Sequence, residues 1–159
     1  MKQIKSFTVD HIKLDRGLYV SRMDKVGDEC VTTFDIRMTK PNVMDVMTTG
    51  TIHAIEHLGA TFLRNDEEYG DRIVYFGPMG CRTGFYLILA GEYESKDVVP
   101  LMKRMYEFIS SFEGDIPGAT KECCGNYSDM DKNGAIEYAH MYLEEVLTDI
   151  TEDRLNYPE

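Results

Sequence analysis

Residues 51–65, TIHAIEHLGATFLRN, place two histidines four positions apart with a glutamate directly before the second. On an α-helix advancing about 100° per residue, with His53 as zero, Glu56 falls at about −60°, His57 at about +40°, Ala60 at about −20° and Arg64 at about +20°. Ile52, Ile55, Leu58, Gly59 and Phe62 gather on the other side. The histidines therefore belong to a polar face, separate from the apolar stripe. Two imidazoles at i and i+4 can reach one cation at about 2.0–2.1 Å each. Glu56 stands beside that cation without having to bind it, in the order H-x-x-E-H. Five-residue patterns also arise by chance on solvated helices, so other groups must decide.

Two such groups exist. Cys123-Cys124 offers a third, softer ligand, and Cys81 sits in a glycine-flanked loop, Met79-Gly-Cys-Arg-Thr-Gly84. Two imidazoles and one thiolate leave a fourth position open, which is the stoichiometry of a catalytic site and not of a closed structural one. Cys81 fits the role of a base if its thiolate is favoured, and a nearby cation favours it. A bound metal, Arg37 and Arg82 are the candidate cations, and the sequence does not rank them.

The elements that must hold these groups can be read from periodicity. Residues 31–38 (VTTFDIRM) alternate as a strand, with Phe34, Ile36 and Met38 on one face and Asp35 and Arg37 on the other. Residues 49–64 read as a helix. Residues 73–76 and 84–90 read as strands joined by the loop that carries Cys81. Residues 97–112 and about 134–149 repeat apolar residues at helical spacing, and the Gly/Pro stretch 113–119 separates them. His140 falls at the edge of the last apolar stripe and reads as packing. The interleaving predicts an α+β fold, a small mainly antiparallel sheet with helices packed on one face.

Bulk properties narrow the function. A chain of 159 residues fits one domain, spanning 1–159, and such a chain buries enough surface to fold without disulfides or metal. Its 43% hydrophobic and 28% charged residues are those of a soluble globule. A net charge of −11 repels phosphate backbones and anionic membranes, so neither nucleic acid nor membrane is an expected partner. The start, MKQIKSFTVDHIK, has no continuous apolar stretch, and Phe85–Ala90 is far too short to span a bilayer. A cytoplasmic protein is expected, its four cysteines thiols. Cys30 reads as a small buried apolar residue, and the 10 methionines as core filling.

Six segments in order, Ser6-Phe-Thr-Val-Asp-His11, Phe34-Asp-Ile-Arg37, His53-x-x-Glu56-His57-Leu, Arg64-Asn65, Pro78-Met-Gly-Cys-Arg-Thr-Gly-Phe-Tyr86 and Cys124-Gly-Asn-Tyr127, resemble S-ribosylhomocysteine lyase, the bacterial LuxS family. The resemblance implies a two-layer sandwich of the LuxS/metallohydrolase kind. It implies cleavage of the thioether of S-ribosylhomocysteine to homocysteine and a dihydroxypentanedione, the autoinducer-2 precursor, by carbonyl migration and β-elimination. It further implies ferrous iron, replaceable by zinc or cobalt, and a homodimer with its active sites at the interface. Carried over, the metal ligands are His53, His57 and Cys124, with Cys123 the competing thiol. Cys81 and Glu56 are the proton-transferring pair. Ser6, His11, Arg37 and Arg64 contact substrate. This chain departs from the family where Tyr75-Phe76-Gly77 replaces the usual Asp-Ile-Ser, and where Met130 stands near a usual histidine. The competing readings are an H-x-x-E-H zinc peptidase, in which the glutamate would activate water, and a closed metal-storing or sensing domain.

Overall fold

The structure is a computed structural model, and it describes residues 8–158. Four strands, β1 (Gly17–Val26), β2 (Glu29–Arg37), β3 (Ile73–Pro78) and β4 (Gly84–Ala90), form one antiparallel sheet in the order β1-β2-β4-β3. Three helices accompany it: α1 (Thr49–Arg64), α2 (Val99–Ser110) and α3 (Lys132–Tyr142). The expected α+β class is what the chain adopts.

The core lies between the inner face of the sheet and the helices. Phe34, Ile36, Phe85, Leu87 and Leu89 meet Ile52, Ile55, Leu58, Leu101, Met102, Met105, Ala135 and Ala139 there, all buried. Met38, Met47, Met102 and Met105 are fully enclosed, as core filling requires. β2 is central and buried on both faces, and its outer face carries Thr33, Asp35 and Arg37.

β1 is absent from the reading by periodicity. A bulge between Val20 and Arg22 breaks its alternation, and Tyr19 is as buried as Leu18 because something covers each face. Its hairpin to β2 turns at Gly27-Asp28. The helices also differ at their ends. α2 is preceded by a tight turn over Ser95–Val98 and stops at Ser110. α3 starts two residues earlier than expected, where Asp131 Oδ1 accepts the Gly134 N–H at 2.9 Å. It then widens over Leu143–Leu147, where the Thr148 N–H reaches Leu143 O at 2.9 Å. His140 is exposed, 3.8 Å from Glu144, and does not pack as expected. Cys30 is only partly buried.

α1 sets the site, and its rotation and depth follow from its stripe. Ile52, Ala54, Ile55, Leu58, Gly59 and Leu63 are buried, while His53, Glu56 and His57 are only partly so. The helix begins at Thr48, whose Oγ1 accepts the Thr51 N–H at 3.1 Å. Gly59 is the point of closest approach to the sheet, since a Cβ there would stand 2.5 Å from the Phe76 ring on β3. Gly59→Ala should therefore push α1 off β3 and cost about 1–3 kcal/mol, the usual price of overpacking. A urea unfolding midpoint equal to wild type would show that α1 and β3 can part freely.

Candidate active site

The loop between α2 and α3 delivers the third donor to α1. The N–H groups of Cys123 and Cys124 both donate to Thr120 O, at 3.1 and 3.0 Å, and this turn presents Cys124 to the histidines. The loop is fastened to the start of α1 by the Asp131 N–H on Gly50 O at 3.0 Å and by Thr51 Oγ1 on Asp131 Oδ2 at 3.2 Å. One ligand atom each from His53, His57 and Cys124 lie within 4.8 Å of one another. Cys124 Sγ is 3.4 Å from His53 Nε2. Donors on a tetrahedral divalent ion stand roughly 3.3–3.6 Å apart, by the usual bond lengths, so these three need only a small closure to share one. Cys123, the competing thiol, is exposed and outside the trio.

The chemistry of the donors agrees. His57 Nδ1 lies 2.8 Å from Pro117 O. A carbonyl only accepts, so Nδ1 carries the proton and the lone pair sits on Nε2, free for an ion. His53 Nδ1 faces Asp129 Oδ2 at 3.8 Å, leaving Nε2 towards Cys124. The Asn126 N–H points at Cys124 Sγ at 3.4 Å, so a backbone donor helps to hold the sulfur in place. The residues present therefore fit a divalent metal.

Beside this trio is a cavity of about 370 Å³ lined by Thr49, Ile52, His53, Glu56, Pro78, Met79, Gly80 and Arg82. Glu56 is thus set on its wall one helical turn from His53. A larger hollow of about 630 Å³ between α1 and α2 has neither imidazole nor thiol in its lining, and its Asp66 is already paired with Arg104 at 2.6 Å.

Cys81 is not among the residues that line the cavity, although its neighbours Gly80 and Arg82 are. The turn explains this. The Arg82 N–H closes on Met79 O at 2.9 Å, and Arg82 takes φ 61, a left-handed conformation uncommon for a side-chain-bearing residue. Cys81 Sγ instead lies 3.1 Å from Thr83 Oγ1 and 3.8 Å from Arg37 Nη1. Partial burial pushes its pKa up, but the hydrogen bonds from the Thr83 side chain and backbone and the charge of Arg37 outweigh it, so the thiol sits below its ordinary value. Of the two arginines that the sequence left unranked, Arg37 is the one beside the sulfur.

The remaining expected site residues are dispersed. Ser6 lies outside the described residues. His11 is half-buried, with Nδ1 2.9 Å from Val9 O in its own turn. Arg37 is 4% exposed and ion-paired to Asp35 at 2.5 Å, so it is a buried support for Cys81 more than an open substrate contact. Arg64 leaves the ligand face of α1 for β3, where it donates to Ile73 O at 2.8 Å and Val74 O at 3.2 Å. The Tyr75 and Gly77 departures are one feature. The Tyr75 ring lies across Gly77, in the space a Cβ would fill, so a serine there would have to displace the half-exposed ring. Thr83, Asp129 and the Pro117 carbonyl were missed by the sequence reading. Asp129 and Pro117 belong to no motif, and Thr83, although inside the Met79–Gly84 segment, shows its part only by its placement beside Cys81 and Arg37.

Comparison with known proteins agrees with this geometry. The family model described as S-ribosylhomocysteinase (LuxS) matches residues 4–153. Proteins named S-ribosylhomocysteine lyase are similar over nearly their full length: one from Clostridium beijerinckii is 58% identical over 99% of both chains, and one from Clostridium acetobutylicum 58% over 100% of both. A more distant one, from Borrelia garinii, is 49% identical over 99% of this chain and 100% of its own. Likeness at that level over the whole length, in a chain that gathers two histidines and a cysteine against a cavity, leaves one conclusion: this chain belongs to the S-ribosylhomocysteinase (LuxS) family.

Proposed function

We propose that this chain is an S-ribosylhomocysteine lyase, releasing homocysteine and the dihydroxypentanedione precursor of autoinducer-2, with residues 1–159 acting as one domain. The observation that carries this reading is the trio His53, His57 and Cys124 with Glu56 at the adjoining cavity, in a chain whose full-length relatives bear that name. A peptidase gains no support: its third ligand is normally a carboxylate, and this trio completes with a cysteine sulfur. His53, His57 and Cys124 would hold a divalent ion, ferrous iron by preference with zinc or cobalt as substitutes, and a bound ion supplies electrophilic stabilisation of negative charge on a substrate oxygen.

The chain's own groups move the protons. An unactivated thioether resists water, so the sugar carbonyl must first migrate. Each migration removes a proton from the carbon next to the carbonyl and returns one to the carbon the carbonyl leaves. Once the carbonyl is β to sulfur, loss of one more α-proton expels homocysteine. Glu56, partly buried on the cavity wall, serves as one acid–base. Cys81 serves as the other, and its lowered pKa makes a thiolate available nearer neutral pH. Arg82 on the cavity wall suits a substrate carboxylate better than the engaged Arg64. Ser6 and His11 complete the substrate contacts from the N-terminal segment.

The placement of Cys81 bears on assembly. Within one chain its sulfur lies beside Arg37 and Thr83, and Cys81 does not join Glu56 in lining the cavity. A homodimer in which each site combines the metal ligands of one subunit with Cys81 of the other reconciles the two halves. Among the described residues, no helix is long and apolar enough to cross a membrane. We place the enzyme in the cytoplasm, and its charge of −11 disfavours nucleic acid and anionic membrane surfaces as partners.

Cys81→Ala and Glu56→Gln should each keep wild-type metal content while homocysteine release falls by about 10²–10⁴-fold, the usual worth of a general acid–base. Normal thiol release from either variant removes that residue from the chemistry. Cys124→Ala should lose its metal by elemental analysis and Cys123→Ala should retain it; the opposite pattern would exchange the two thiols. Inactive Cys81→Ala and Cys124→Ala subunits, unfolded and refolded together in equal amounts, should recover about a quarter of wild-type activity, because half of the symmetric dimers are mixed and each then holds one intact site. No recovery would place every group of a site in one chain.

A further inference from the structure

The outer face of the sheet holds a buried polar chain that the proposed reaction does not by itself require. Arg37 is ion-paired to Asp35 through two contacts, Nη2 to Oδ2 at 2.5 Å and Nε to Oδ1 at 3.1 Å, and Asp35 is 1% exposed. Its Nη1 donates to Thr83 Oγ1 at 2.6 Å and faces Cys81 Sγ at 3.8 Å. Behind Asp35 stands the C-terminal segment: Tyr157 donates its phenolic O–H to Asp35 Oδ2 at 2.8 Å. That segment is anchored. Arg154 Nη1 reaches Glu145 O at 2.7 Å, and the Tyr157 ring stacks on Tyr19 with centroids 4.8 Å apart. The Arg154 carbonyl occupies the space a Cβ would need at Gly17.

We propose that Tyr157 and Asp35 are positioning residues for Cys81, with Tyr157 fixing the carboxylate that aims the Arg37 guanidinium at Thr83 and the Cys81 sulfur. A carboxylate this deeply buried needs its lone pairs satisfied. Without the phenol, Oδ2 loses a donor. Asp35 then either reorients, loosening the aim of Arg37, or draws Arg37 more strongly to itself. Both effects weaken the positive field at the sulfur and disfavour its thiolate. The groups that face Cys81 are Arg37 and Asp35 behind it on β2, Thr83 beside it, and Tyr86 on β4, which feels the charges of Asp35, Arg37 and Cys81. Phenols titrate above the range in which the thiol does, and burial pushes both Tyr86 and Tyr157 higher still.

The inference rests on Cys81 as a proton-transferring group, and its test reads thiol reactivity, so the two can fail separately. Iodoacetamide alkylation of Cys81, followed by peptide mass as a function of pH, should move its midpoint upward by about half to one unit in Tyr157→Phe, slowing the reaction about 3–10-fold at neutral pH. Turnover by that variant should show a lower kcat with KM within about twofold of wild type. Tyr19→Phe is the control, because it keeps the stacked ring and removes a hydroxyl whose hydrogen bond goes to Asp15 O at 3.1 Å and not to the Asp35 carboxylate. A wild-type alkylation profile in Tyr157→Phe, or an equal shift in Tyr19→Phe, overturns the proposal. Should Tyr157→Phe fail to fold, the ring resonances of ¹³C-labelled Tyr157 in the unaltered chain must follow the Cys81 titration, and a flat response overturns it equally.

Discussion

The angle at which α1 lies on the sheet is the constraint from which the site follows. A helix carries its side chains at fixed angular intervals, so burying Ile52, Ile55, Leu58 and Gly59 against β3, α2 and α3 leaves one arc for His53, Glu56 and His57. No interaction with a metal is needed to choose that arc. The contact of Gly59 with Phe76 fixes how deeply the helix sits, and the cap at Thr48 with the tie to Asp131 fixes where it begins. The loop that carries Cys124 is fastened to the same end of the helix. Apolar packing thus does the placing, and the polar groups inherit it.

Two faces of one sheet divide the chemistry. On the inner side α1 holds the imidazoles and Glu56, and the loop between α2 and α3 brings the Cys124 sulfur to them. On the outer side β2 holds Arg37 and Asp35, with Cys81 and Thr83 at the end of the β3–β4 loop. Breaking a buried ion pair leaves a costly uncompensated charge, and here the pair is satisfied from every side: Thr83 takes one guanidinium nitrogen and Tyr157 one carboxylate oxygen. The Cys81 thiol, with neighbours so constrained, meets a cation held in one place, whereas a flexible cation would average its effect away.

What could be read from the sequence was whatever obeys a period or a motif. The α1 face, the Phe34/Ile36/Met38 alternation and the order His53, Glu56, His57 all follow from geometry local to one element. β1 was hidden because its bulge shifts the period midway and because both of its faces are covered near Tyr19. The direction of the Cys81 sulfur depends on a left-handed residue at Arg82, where composition would suggest glycine. Arg64 kept its predicted angle on the helix, but a long side chain bends to whatever acceptor is near, in this case two strand carbonyls. Tyr157 and Asp35 lie 122 positions apart, beyond the reach of any local rule.

The Tyr75–Gly77 pair has a consequence for how such a chain can change. With the ring lying over position 77, a side chain there meets the phenol, and because Tyr75 is half exposed the ring must swing outward to admit one. The two positions are therefore coupled: a residue larger than glycine at 77 moves the Tyr75 hydroxyl, and a smaller residue at 75 removes the contact.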